Sequence, residues 1–209
     1  MFTGIVQGTA PVKSIEKKSQ LHRIWVELPK DRLENLQNGC SIAINGCCLT
    51  LVEHMGDMVA FDAMMETLRL TNIGLLQEGS LVNFERAARF GDEIGGHLLS
   101  GHIHDMAEIV EIRQPENNWE IWFETDAKWA DFLLAKGFAS INGCSLTLGE
   151  VLEQGEKVRF NIFLIPETLA ITTFDSLLVG DKVNLEIDAQ TQAIVETTRK
   201  VLQQKFADG

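Results

Sequence analysis

One seven-residue phrase, written twice, constrains this chain more than any other feature. Asn45-Gly46-Cys47-Cys48-Leu49-Thr50-Leu51 returns 97 positions later as Asn142-Gly143-Cys144-Ser145-Leu146-Thr147-Leu148. An Asn-Gly pair ahead of an alternating run predicts a tight turn, because glycine accepts positive φ and asparagine tolerates it. Leucines alternating with small polar side chains predict a strand with one wall on a core and the other on a cavity. The echo extends beyond the phrase. Gly4 aligns with Gly101, and Ile24-Trp25 with Ile121-Trp122, at the same spacing of 97. The offset then grows to 99, pairing Gly56-Asp57 with Gly155-Glu156 and Phe61 with Phe160. It reaches 101 where Glu66-Thr67-Leu68 meets Glu167-Thr168-Leu169 and Val82-Asn83-Phe84-Glu85 meets Val183-Asn184-Leu185-Glu186. Two small insertions in loops account for the drift. Two copies of about 90 residues are too few and too long for a solenoid. They fit two similar domains in tandem.

Each copy reads mainly as strands. Ile24–Leu28, Ser41–Ile44, Leu49–Val52 and Leu81–Glu85 are short, apolar or β-branched, and punctuated by Gly and Asn. One short helix is expected over Asp31–Leu36, with Asp31 or a neighbour as its cap, and a counterpart over Ala127–Ala135. Short, evenly spaced strands in units this small predict closed or nearly closed antiparallel barrels, so the fold class is all-β. The first domain is expected over 1–97, ending in a linker over about 87–97 where Gly95-Gly96 marks a bend. The second spans 98–187. From 188 to 209 the pattern turns helical, with Ile194, Val195, Thr198, Val201, Leu202 and Lys205 in one stripe. That helix either packs back on its own barrels or meets the same helix of other subunits, and the second option is preferred.

The net charge of −12 argues against nucleic acid as a partner, since phosphate contacts require a basic footprint. No apolar run approaches the ~18 residues of a membrane span, and Met1-Phe2-Thr3-Gly4-Ile5-Val6 lacks the features of a signal peptide. A cytoplasmic chain is expected. In that reducing setting Cys40, Cys47 and Cys144 read as small buried hydrophobes. No CxxC or CxxH pair occurs, so no metal site is expected.

The opening Met-Phe-Thr-Gly-Ile-Val, the repeated Asn-Gly-Cys-x-Leu-Thr, Glu-Thr-Leu in both copies and Gly95-Gly96-His97-x-x-x-Gly101-His102 occur together and in order. With them, essentially the whole chain resembles the riboflavin synthases of the α-subunit type, a lumazine-binding double-barrel family. The resemblance implies two Greek-key, six-stranded β-barrels and a C-terminal helix that assembles a homotrimer. It implies dismutation of two 6,7-dimethyl-8-ribityllumazine molecules. One gives a four-carbon unit to the other, yielding riboflavin and 5-amino-6-ribitylamino-uracil without a metal or redox cofactor. Two identical substrates in opposite roles explain a repeated pocket, which holds them in register. In the family the productive pair of pockets joins the N-terminal barrel of one subunit to the C-terminal barrel of its neighbour. Lumazine synthase is a further candidate partner.

Positions where the copies differ are the candidates for chemistry. Cys48 faces Ser145 in the alignment, both at an inward polar position if Leu49 and Leu146 point the other way. Cys48 is expected as nucleophile or activator at C7 of a lumazine, or alternatively as a small cavity-lining residue. Ser145 is its hydrogen-bonding or nucleophilic counterpart. His102 aligns with Ile5, and its imidazole can take the acidic proton of the lumazine 7-methyl group; a structural histidine is the alternative. His97 at the hinge ranks below it. Asp188, opposite Ala87, is assigned a supporting electrostatic role. His22, His54 and His104 read as surface residues.

For binding, the resemblance implies Gly4, Ile5 and Val6 at the start of one copy and Gly101, His102 and Ile103 at the start of the other. Ser41, Leu49 and Thr50 join Cys48; Leu146 and Thr147 join Ser145. The matching segments Asp62-Ala63-Met64-Met65-Glu66-Thr67 and Leu164-Ile165-Pro166-Glu167-Thr168-Leu169 offer donors and acceptors to a polyol and a uracil-like edge. Alternatively, Glu66 and Glu167 are solvated or satisfy backbone donors. Lys136 completes the set, with an exposed lysine as the alternative. The competing readings are a lumazine- or flavin-binding antenna without turnover, and a structural double-barrel module.

Overall fold

The computed structural model describes residues 1–207; the last two residues of the expected 188–209 segment lie outside the described residues. The first copy forms β1 (Thr9–Lys17), β2 (Leu21–Glu27), β3 (Ser41–Ile44), β4 (Cys47–Met55), β5 (Met58–Met64) and β6 (Leu81–Arg86). They close into an antiparallel barrel in the order β1-β2-β5-β4-β3-β6. The connections β2 to β3 and β5 to β6 cross the barrel ends, as in a Greek key. The barrel interior is solid: Ile24, Leu51, Phe61 and Phe84 are at most 1% exposed.

The second copy repeats the plan with one strand broken. Its elements are β7 (Asp105–Arg113), β8 (Trp119–Asp126), β9 (Phe138–Ile141), β10 (Cys144–Thr147), β11 (Val151–Gln154), β12 (Lys157–Leu164) and β13 (Lys182–Ile187). The order β10-β9-β13-β7-β8-β12-β11 makes seven strands where six were expected. β10 and β11 are the two halves of the strand that is continuous as β4. Asn161 of β12 spans the break: its carbonyl accepts from Gly149 N, its N–H reaches Glu150 O, and its Oδ1 accepts from Glu150 N at 2.6 Å. The second sheet is therefore curled, without the continuous ladder that closes the first.

Register corrects one alignment. Ile24 pairs with Phe61, and Ile121, its counterpart, pairs with Ile162 rather than Phe160. The β11–β12 hairpin reaches farther than β4–β5, so the sequence match of phenylalanines slips by two residues, which preserves the inward face.

The expected helix over Asp31–Leu36 is a single 3-10 turn, Lys30–Arg32, with Pro29 at its cap position and no side-chain cap. Asn35 at φ +57° stops it. Its counterpart is likewise a 3-10 turn, Ala127–Phe132, capped by Asp126 through Lys128 N. The repeated Glu-Thr-Leu lies in short helices, α1 (Met65–Leu70) and α2 (Pro166–Ile171).

The terminal helix, α3 (Ala189–Ala207), is capped by Asp188, whose Oδ2 accepts from Thr191 N and Oγ1 at 2.8 Å. It leans on the second barrel through Val195, through Gln192 at 3.1 Å from His104 Nε2, and through the Arg199–Asp131 ion pair. Ile194, Val201 and Leu202 on α3 are 46–67% exposed in the single chain. Among the described residues no helix is long and apolar enough to cross a membrane.

A near-symmetric polar zipper joins the barrels. Asn83 Nδ2 donates to Asn142 O at 2.9 Å, and Asn184 Nδ2 donates to Asn45 O at 2.8 Å. Their Oδ1 atoms accept from Thr173 N and Asn72 N. Every one of these groups is buried, and burial without a partner costs about 1–3 kcal/mol each. The zipper thus fixes one relative placement of the barrels.

Candidate active site

The phrase that organises the sequence also organises the site. Asn45-Gly46 and Asn142-Gly143 all have positive φ, the type I′ geometry of a two-residue hairpin. The two turns touch: a Cβ on Gly46 would lie 2.6 Å from Gly143 N. Cys47, Leu49 and Leu51 fill the first core; Cys144, Leu146 and Leu148 fill the second. Burial pushes the Cys47 and Cys144 thiols up to about 12, so they stay protonated. The alternating set therefore points away from the barrel axis. The inward position expected for Cys48 and Ser145 is an outer wall instead, because large apolar side chains already fill the interior.

Cross-strand register defines two matching rows on these walls. On the first barrel Cys48 lies opposite Ala43, and Ala43 opposite Glu85. On the second, Ser145 lies opposite Ser140, and Ser140 opposite Glu186. Ser41 and Thr50 extend the first wall, as Phe138 and Thr147 extend the second.

The segments that open the two copies are exchanged. Phe2 and Leu99 pair as an isolated antiparallel bridge, and beyond it each segment crosses to the other barrel. Gly4 O accepts from Ser145 N at 2.8 Å, and Val6 packs in the second core. Gly101 O accepts from Cys48 N at 2.8 Å, and Ile103 packs on the first core. The close approach requires glycine: a Cβ on Gly4 would sit 2.5 Å from Ser145 Cβ, and one on Gly101 the same distance from Cys48 Cβ. Consequently the segment that carries His102, from the second copy, is anchored on Cys48 of the first, and the segment that carries Ile5, from the first copy, on Ser145 of the second.

The Cys48 wall is open, with Cys48 half-buried and His102 exposed. Ser100 Oγ accepts from His102 N at 3.1 Å and fixes the loop that carries the imidazole. On β5, Ala63 belongs to the core while Met64 is exposed. The Asp62 carboxylate is gripped by Arg23 at 2.8 and 2.9 Å, a bidentate pair that holds its pKa below the usual value. Met65 is exposed at the start of α1, and Glu66 spends both carboxylate oxygens on Arg69 of the same helix. Thr67 uses its carbonyl to accept from Thr71.

The Ser145 wall carries a further device. His97 Nδ1 lies 2.6 Å from Ser145 Oγ, and the ring stacks on Phe138 at 5.5 Å. Burial lowers the His97 pKa, partly countered by the charge of Asp188, so the ring is neutral near pH 7. Asp188 is pushed up by burial, but its hydrogen bonds from Thr191 and Gln190 and the His97 charge outweigh this and hold it low. A hydroxyl held by a neutral imidazole is the pairing of a nucleophile or proton carrier with its base. His97 Nε2 and Ser140 Oγ are buried without partners. Lys136 is exposed, in a left-handed conformation at φ +68°. Leu164 is buried, Ile165 and Glu167 are exposed, and Pro166 is the first residue of α2. Leu169 packs on the second core and Thr168 O accepts from Thr172 Oγ1.

The sequence profile of the lumazine binding domain matches residues 3–87 and 100–188. Riboflavin synthase of Escherichia coli strain K12 is 53% identical over 97% of this chain and 93% of its own length. The chain belongs to the riboflavin synthase family. Its fold is also similar to solved structures of LumP. The complex with riboflavin gives a TM-score of 0.80 at 30% identity, covering 90% of this chain and all of that one. The complex with 6,7-dimethyl-8-(1'-D-ribityl) lumazine gives 0.78 at 29%, covering 90% and 99%.

Several functional candidates were not singled out from the sequence. Glu85, Glu186, Ser140 and Phe138 lie in the rows just described. The repeated Val-Asn-x-Glu gave a signal for the first two, but not which segment each carboxylate holds. Ser140 and Phe138 replace Ala43 and Ser41, differences that the same copy-to-copy comparison reveals once the register is known.

Proposed function

We propose that the chain is a riboflavin synthase that converts two molecules of 6,7-dimethyl-8-ribityllumazine into riboflavin and 5-amino-6-ribitylamino-uracil. The two products together contain every atom of the two substrates, so the transfer of four carbons requires no external oxidant. The observation that carries this reading is the pair of outer walls on one scaffold with different reactive groups. Cys48 and His102 belong to one, Ser145, His97 and Asp188 to the other. Identical substrates in unequal roles call for this combination of like shape and unlike chemistry.

On the first wall, His102 withdraws a 7-methyl proton and Cys48 adds to or polarises C7. On the second, Ser145 receives its orientation and basic support from His97, and Asp188 favours positive charge on that imidazole. Gly4, Ile5, Ser41, Thr50, Thr147, Lys136 and the β5–α1 and β12–α2 segments bind ring and ribityl chain. Walls open to solvent suit closure by a neighbouring subunit, so the working unit is a cytoplasmic homotrimer in which the exposed stripe of α3 meets its copies. Its greater identity to the synthase than to LumP supports turnover over a binding role.

The test is to incubate the purified protein with 6,7-dimethyl-8-ribityllumazine alone and follow riboflavin absorbance, with Cys48→Ser and His102→Gln alongside. Product without added cofactor, lowered about 100-fold or more in the variants, is the expected result. Tight binding without product would move the chain to the antenna class. Full activity in both variants would discard the chemistry assigned to the first wall.

A further inference from the structure

Glu85 and Glu186 are each 3% exposed, and neither forms a salt bridge with a side chain among the described residues. Their oxygens are spent on the exchanged segments instead. Thr3 N and Oγ1 donate to Glu85 Oε1 at 2.6 and 2.8 Å, and Gly4 N donates to Oε2 at 3.1 Å. Ser100 N and Oγ donate to Glu186 Oε1 at 2.7 Å, and Gly101 N reaches Oε1 and Oε2 at 3.2 and 3.1 Å. Such charge-assisted bonds to consecutive N–H groups dictate the path of a short backbone stretch. Each stretch then binds the reactive strand of the other barrel, through Gly101 O to Cys48 N and Gly4 O to Ser145 N.

We propose that Glu186 is the positioning residue for Cys48 and His102, and Glu85 the positioning residue for Ser145, each acting on the barrel to which it does not belong. The inference rests on the synthase reading for its purpose, but its geometry can be tested without substrate. A general scaffolding role predicts the opposite pattern. Glu85 shares a wall with Cys48, two strands away through Ala43, whereas Glu186 sits on the other barrel. The crossing is what gives the assignment content.

The experiment alkylates the full-length protein with iodoacetamide and follows each cysteine by mass spectrometry, with fragment ions that separate Cys48 from adjacent Cys47, in the parent, Glu186→Gln and Glu85→Gln. Glutamine keeps the shape and one acceptor oxygen, but turns an amide NH2 toward the N–H groups of the loop. Loosening residues 100–102 should raise the Cys48 rate about fivefold in Glu186→Gln, the scale of one weakened charged hydrogen bond, with less than about a twofold change in Glu85→Gln. Turnover should fall in both variants, in Glu85→Gln with the Cys48 rate inside that twofold limit. A Cys48 rate unchanged in Glu186→Gln overturns the assignment. So does an equal rise in both variants, or a rise shared by buried Cys47 and Cys144, which reports general loosening. If the parent fails to convert lumazine, the synthase reading falls, while the labelling contrast still decides the crossed positioning.

Discussion

Replacing Gly101 by alanine produces an effect whose size follows from measured distances. At φ +78° an L side chain costs about 1–2 kcal/mol. The new Cβ would lie 2.5 Å from Cys48 Cβ, 2.9 Å from Cys48 N and 3.0 Å from the Phe2 ring. Carbon atoms in contact prefer about 3.5–4.0 Å, so roughly 1 Å of retreat is demanded. Because backbone is among the clashing atoms, no rotamer change relieves the overlap. Overpacking of this kind adds about 1–3 kcal/mol, for a total of about 2–5 kcal/mol. That lowers the melting temperature by about 4–20 °C for a chain of this size. The same retreat moves Cys48 relative to His102, and a misplacement of about 1 Å in a reacting group costs on the order of 100-fold in rate. Gly56→Ala is the control: its φ is +63° and no atom lies within 4 Å of the added Cβ, so it carries the conformational cost alone. Urea unfolding and lumazine turnover of the two variants, measured together, separate strain from displacement. Equal stability loss and equal activity in the two would refute the claim that the close approach at Gly101 sets the position of Cys48.

Acid should weaken the fold through His97. Burial depresses its pKa, so between that lowered value and the ordinary one of about 6.5 the unfolded chain binds more protons than the folded chain. The stabilising share is complete above about pH 6.5 and is lost as pH falls through the window. Urea unfolding from about pH 7.5 down to 5 should therefore show a shallower decline in His97→Gln than in the parent, and identical slopes would count against a buried neutral ring. Removal of residues 188–209 takes away both the exposed stripe of α3 and the Val195 contact. Light scattering should then report monomers, and an oligomer of unchanged mass would end the case for helix-mediated assembly.

Repeats, turns and strand faces were legible because they are local or periodic. Asn-Gly at the head of an alternating run favours a tight turn with positive φ, and the alternation of Leu49, Leu51, Leu146 and Leu148 with smaller polar residues marks a strand with a buried wall. The copy-to-copy comparison also singled out Cys48, Ser145 and His102 as positions of unlike chemistry. It failed where the copies drift: Phe61 was matched to Phe160, because similarity of side chains carries no information about how far a hairpin extends. The Asp31–Leu36 helix failed for a local reason, since one turn stopped by Asn35 in a left-handed conformation cannot propagate.

The sequence by itself determined that two similar β units exist, which wall of each is apolar, and which paired positions differ in reactivity. Tertiary structure alone decided which of those positions meet. His102 follows Gly101 in the second copy, yet its segment is anchored on Cys48 of the first, because Gly101 O accepts from Cys48 N while Gly4 O accepts from Ser145 N. It also decided that the walls carrying Cys48 and Ser145 face outward, since the volume of the barrel interiors is taken by residues such as Phe61, Phe84, Phe123 and Phe160. Turn geometry and alternation are set by neighbours in the chain and survive in a string of letters. An exchange of segments is set by hydrogen bonds between residues far apart in the chain, such as Cys48 to Gly101 and Ser145 to Gly4, and appears only once the chain has folded.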